Sequence, residues 1–181
     1  MAEDVYLHVG PHKTGTTYLQ NRVFPKLEDV HDVGTENEEF VDRLWYSLRG
    51  NPLFREEAEF RETANEIRSN ANEDIIILSL ETLFGYPYAS YVNNQYNTKL
   101  LKEMFPKAQI LVAVRRQDNF VESLYKQTLH EYWSIAPERF VGTSDSATPA
   151  VTGLRKDWGH LTVDIDYLDW GPYLDNYVKL F

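Results

Sequence analysis

Gly10-Pro-His-Lys-Thr-Gly-Thr-Thr17 packs a lysine, a histidine and three threonines between and just after two glycines. That set is suited to holding an anion. The usual nucleotide-binding loop reads G-x-x-x-x-G-K-[ST], with its lysine directly after the second glycine. Gly10 and Gly15 keep that spacing and Thr17 keeps the hydroxyl position, but the lysine slot holds Thr16 and the loop's lysine is Lys13. Backbone N–H groups of such a loop, and the start of the helix after it, face a bound phosphate. Displacing the lysine moves the point at which positive charge meets that anion. A strand–helix turn that is merely rich in Gly and Thr is the plainer reading of the same residues.

The flanking pattern supplies the elements that such a loop needs. Val5–Val9 reads as a short apolar strand running into Gly10, and 16–24 as a helix with Leu19 and Val23 on one face, ended or kinked at Pro25. Ile75-Ile-Ile-Leu-Ser-Leu80 is a continuous, β-branched run of the kind buried in parallel sheets. A third strand is expected over Gln109–Val114, after a helix over 97–105 that Pro106 stops. Further helices are expected over Glu36–Leu48 and, more weakly, over Glu56–Arg68. Phe120, Val121, Leu124, Tyr125, Leu129 and Tyr132 recur at helical spacing, as do Tyr173, Leu174, Tyr177, Val178 and Phe181 near the end. Residues 142–153 read as a loop. Strands separated by helices predict one α/β domain over 1–181, three-layered, with a central parallel sheet between helices. Ligands of such sheets bind at the carboxyl ends of the strands, which is where Gly10, Glu81 and Arg115 fall.

Lys13-Thr-Gly-Thr-Thr-Tyr18 resembles the first motif, K-[ST]-G-T-T-x, of the sulfotransferases that use 3'-phosphoadenosine 5'-phosphosulfate (PAPS). That family's second motif is a strand ending in Arg with Ser eight residues later in a helix; Ile110–Val114 runs into Arg115, and Ser123 follows at that distance. Gln117 stands where the family often has Pro. The resemblance spans about 4–133, and Asp166–Phe181 is similar to a later helix of the family. A further strand and a basic, glycine-containing loop follow that helix in the family; the chain ends at Phe181, so it is expected either to be a piece or to close its site differently.

The resemblance implies a P-loop nucleotide-hydrolase-like fold. The expected reaction moves a sulfuryl group from PAPS to an acceptor hydroxyl or amine and leaves adenosine 3',5'-bisphosphate, with no metal required. Lys13 would meet the charge that develops on the leaving phosphate, and Thr14, Gly15, Thr16 and Thr17 would hold the 5'-phosphate. Arg115 and Ser123 would hold the 3'-phosphate, Arg115 by the paired hydrogen bonds of a guanidinium. The acceptor must lose a proton to a base within hydrogen-bond reach. Glu81, directly after the 75–80 strand, is the first choice, and His12 in the loop is its rival. The aromatic stretch Phe84–Tyr91 with Tyr96 either lines an acceptor pocket or packs on itself.

Composition narrows the alternatives. A net charge of −10 argues against broad nucleic-acid binding and disfavours a highly sulfated glycan as acceptor, leaving local cations at Lys13, Arg115, Arg116 and Lys126 for the donor. The absence of cysteine excludes disulfides and thiolate metal sites. No apolar run approaches the roughly 20 residues needed to span a bilayer. Met-Ala-Glu-Asp is not the start of a signal peptide, so the expected location is cytoplasmic and the expected acceptor a small molecule or a glycan. Two other readings stay open: a P-loop kinase or hydrolase with Mg²⁺ on Thr17, and a non-catalytic nucleotide-binding relative. An unfinished sheet edge would be a place for a second copy of the chain.

Overall fold

Four short strands lie side by side in one parallel sheet, in the order β2-β3-β1-β4. They are β1 (Asp4–Val9), β2 (Val30–Asp32), β3 (Ile75–Ser79) and β4 (Gln109–Val112). The computed structural model describes residues 4–33, 48, 57–131, 135–142 and 163–181. Leu7 of β1 stands opposite Leu78 of β3 on one side and Ile110 of β4 on the other. Parallel neighbours cannot be joined by tight hairpins, so helices carry the crossovers. Among the described residues these helices are α1 (Thr16–Tyr18), α2 (Glu57–Asn70), α3 (Asn94–Met104), α4 (Gln117–Glu131), α5 (Pro137–Phe140) and α6 (Trp170–Leu180). A second pair of parallel strands, β5 (Val141–Gly142) and β6 (Val163–Asp164), lies apart from the main sheet. The protein is thus α/β, a central parallel sheet flanked by helices, as the alternation of apolar runs predicts. No helix among the described residues is long and apolar enough to cross a membrane.

The core gathers where the patterns place it. Leu7, Ile76, Leu78, Leu83, Phe84, Leu101 and Phe120 are completely buried. The weakly patterned α2 buries Phe60, Ala64 and Ile67 and leaves Arg61 and Glu62 exposed. The helix expected over Glu36–Leu48 lies outside the described residues, apart from a buried Leu48. The same holds for 143–153 of the expected loop and for Tyr132.

Three expectations need correction. The helix expected over 16–24 is a single α turn that widens into a π-type turn over Leu19–Val23 and tightens into a 3₁₀ turn over Phe24–Lys26. Pro25 has no N–H to continue an α ladder. Phe24, rather than Leu19 or Val23, is the buried anchor, set edge-on to His8 at 5.6 Å. The third strand is not buried: Leu111, Val112 and Val114 are 39%, 44% and 53% exposed. β4 lies at one edge of the four-stranded sheet, so its apolar run records a strand but not a covered one. In α6 the apolar stripe excludes Val178, which is 80% exposed; the helix is capped by the Asp169 carboxylate on the Gly171 amide at 3.0 Å.

Gly10 ends β1 against β4. The Ala113 amide donates to the Val9 carbonyl at 3.1 Å, which carries the pairing one residue beyond the end of β4. A Cβ on Gly10 would run into the Ala113 carbonyl oxygen, a backbone atom that cannot swing aside. Gly10→Ala is therefore expected to cost about 3 kcal/mol, the upper end of ordinary overpacking. In a chain of this size that lowers the melting temperature by roughly 6–12 °C. A thermal melt that does not move would show that the two strands part easily.

Candidate functional site

Residues at the carboxyl ends of three adjacent strands meet beside one loop. β1 leads into 10–17, β3 into Glu81 and β4 into Arg115. Two residues of the loop lie in the left-handed region, Lys13 at φ 64° and Gly15 at φ 94°. Gly15 adopts it without steric cost, whereas Lys13 carries a Cβ in a region that costs such residues about 1 kcal/mol or more. The Thr14 hydroxyl donates to the Pro11 carbonyl at 2.9 Å, and the amides of Tyr18 and Leu19 donate to the Gly15 carbonyl at 3.0 and 3.1 Å. Thr16 is buried beneath the loop and Thr17 is exposed.

Arg115 is tied to this loop. Its guanidinium donates to the Lys13 carbonyl at 3.0 Å, while its own carbonyl accepts from the Trp170 indole N–H at 2.8 Å. The other two cations named from the sequence are engaged elsewhere: Arg116, just before α4, pairs with Asp118, and Lys126 pairs with Glu122 on the surface of α4. Ser123 is half-buried on α4.

Glu81 opens a 3₁₀ turn, Glu81–Leu83, that Leu80 joins to the end of β3. Burial pushes its carboxyl pKa above the usual value; hydrogen bonding from the Lys13 amide, the charge of the Lys13 ammonium and the Thr16 hydroxyl pull the other way. Its Oε2 lies 3.8 Å from His12 Nε2. The two candidate bases therefore stand side by side. Tyr91 closes the far side: it is 1% exposed, its ring lies 6.3 Å from that of His12, and burial drives its hydroxyl pKa well up. Tyr91 and Ser90 both hold left-handed backbone, at φ 51° and 50°.

The aromatic stretch mostly packs on itself. Phe84 and Tyr91 contact each other edge-to-face at 5.1 Å and share Trp170 and Tyr173 as neighbours. His8 is a core histidine: its Nδ1 is 2.7 Å from the Ser79 hydroxyl, and burial lowers its pKa, which favours the neutral ring. Among the described residues no three acidic or histidine side chains gather in a way that could hold a metal ion.

Sequence reading missed the device behind Glu81. The next three carbonyls each accept a hydrogen bond from a side chain: Thr82 from Asn97 at 3.2 Å, Leu83 from the Tyr177 hydroxyl at 3.0 Å, Phe84 from Asn94 at 2.8 Å. Asn176 in turn donates to the Asn94 side chain at 2.9 Å. Helices α3 and α6 thus hold the turn by its backbone, and buried polar groups satisfied in this way fix a unique geometry. The one signal in the sequence was Asn94 and Asn97, one turn apart on a helix whose other inward residues are mostly apolar.

Comparison with protein-family models, with curated proteins and with solved structures finds no match to this chain. Around residues 10–17 stand Lys13 within the loop, Arg115 hydrogen-bonded to the Lys13 carbonyl, and the Glu81 carboxylate against the Lys13 amide.

Proposed function

We propose that the protein is a PAPS-dependent sulfotransferase of P-loop-like fold, moving a sulfuryl group to an acceptor hydroxyl or amine. The observation that carries the reading is the convergence on Lys13: Arg115 donates to its carbonyl at 3.0 Å, and Glu81 faces its amide and ammonium. An anion donor, a charge-stabilising cation and a base are then within one loop of each other.

In this reading Lys13, with the Thr16 and Thr17 hydroxyls, meets the negative charge that grows on the 5'-phosphate as the bridging S–O bond breaks. Preset charges of this kind work without reorganising at the moment of reaction. Glu81 takes the acceptor's proton as the new S–O bond forms; a carboxyl with its pKa raised by burial is a better base than an exposed one. His12 stands beside Glu81 and orients it or shares the proton. Arg115 and Ser123 are assigned to the 3'-phosphate, with Arg115 the stronger contact because of its fixed charge. No metal has a role in this scheme. The small-molecule or glycan acceptor would enter on the side of Glu81.

Calorimetry with adenosine 3',5'-bisphosphate tests the reading before any acceptor is known. The bisphosphate is expected to bind without metal, and Arg115→Ala to weaken it by about 1.5–3 kcal/mol, roughly 10- to 150-fold. Binding of ATP only, and only with Mg²⁺, would give the site to a kinase or hydrolase instead. Bisphosphate binding with no transfer to any hydroxyl or amine tested would leave a nucleotide-binding protein without turnover.

A further inference from the structure

The loop that holds the anion has an acid for one of its walls. The Glu81 carboxylate faces the Lys13 amide and ammonium and the Thr16 hydroxyl, and its side chain is still 30% exposed. The groups around it are His12 and Lys13 from the loop, Thr16 from α1 and Tyr91 from the turn behind, while Arg115 reaches the same loop from β4. Any anion bound by Lys13 must therefore lie close to a carboxylate. That proximity is a cost, and it grows with the charge of the group placed there.

A terminal sulfuryl and a terminal phosphoryl group have the same tetrahedral shape and offer the same oxygen acceptors. Donors such as Lys13 and Thr16 cannot tell them apart by geometry. They differ in charge: the sulfuryl group carries one negative charge, whereas the phosphoryl group takes up a second above about pH 6. We propose that Glu81 is a specificity-determining residue that makes this loop favour a singly charged sulfuryl terminus over the doubly charged phosphoryl terminus of the same nucleotide. The inference rests on the sulfotransferase reading above and gives Glu81 a task separate from taking a proton.

The same arrangement keeps the site's charge constant through transfer. The bridging S–O electron pair goes to the 5'-phosphate, which becomes doubly charged. The acceptor oxygen bonds to sulfur, and its proton goes to Glu81, which becomes neutral. The repelling charge is present when the donor binds and absent once the doubly charged product phosphate has formed.

The test compares PAPS with adenosine 3'-phosphate 5'-diphosphate, which differ at the terminal group alone, by calorimetry at pH 8 without metal. Wild-type protein is expected to bind PAPS about 10- to 100-fold more tightly, the size of effect a like charge a few ångströms away produces near a protein surface. In Glu81→Gln the two dissociation constants should fall within about threefold of each other, mainly because the diphosphate binds better. A second readout needs no variant: the wild-type preference should shrink as the pH is lowered toward 6 and the phosphoryl group takes up its second proton. An unchanged preference in Glu81→Gln, or a wild-type preference that does not respond to pH, overturns the inference while leaving the sulfotransferase reading intact. Failure of the wild type to bind either ligand overturns both.

Discussion

Replacing Glu81 with glutamine is expected to lower sulfuryl transfer by about 10²–10⁴-fold, the range for loss of a positioned general base. The measurement is single-turnover conversion of PAPS to the bisphosphate with any phenol, alcohol or amine that supports turnover. The same substitution should make the ligand-free protein more stable at neutral pH. Burial raises the carboxyl pKa above its ordinary value of 4.5, so the folded chain holds that proton more tightly than the unfolded chain does. The resulting contribution to stability is present below the unfolded value and is lost as the pH rises through the folded one. Glutamine has no such loss. The melting temperature of Glu81→Gln relative to wild type should therefore increase as the pH rises above 4.5. Wild-type turnover should rise over the same window as the base ionises. A variant that turns over normally would pass the role of base to His12; one that loses turnover and also melts lower would mark Glu81 as structural.

Lys13→Ala is expected to reduce turnover by roughly 10²–10³-fold, the loss seen when one charge-stabilising donor is removed from a reacting oxygen. The substitution is informative because alanine keeps the Cβ. Whatever the left-handed backbone at φ 64° costs lysine, it costs alanine as well. A difference between the two proteins therefore reports the ammonium group and not relief of the loop. Thermal melts should agree to within about 0.5 kcal/mol, as for other substitutions outside the core. Unchanged turnover alongside unchanged melting would remove the lysine from the chemistry.

Much of this site was readable because a parallel sheet imposes a simple rule: the residues just after each strand are delivered to the same edge. Three apolar runs ending at Gly10, Glu81 and Arg115 were enough to bring those residues together, and they converge beside Lys13 in the structure. Burial was less legible. Ile110–Val114 has the composition of an inner strand, but composition cannot say which strand lies at the edge, and β4 does. The helix after the loop went wrong at the residue level, because a widened turn moves the buried position from the α-helical stripe to Phe24. The clamp on residues 82–84 left no periodic trace. Its donors, Asn94, Asn97 and Tyr177, act on main-chain carbonyls up to 94 residues away, and a bond to a carbonyl asks nothing of the residue type that bears it.

The left-handed backbone at Lys13 also places two demands on one position. Considered only as a bend in the chain, it would be better filled by glycine or asparagine, residues that visit this conformation readily. A lysine there sits against the preference of the backbone. In directed evolution for thermostability, position 13 is thus a place where variants can gain robustness by giving up charge, and a screen that scores folding alone would drift away from whatever this protein does.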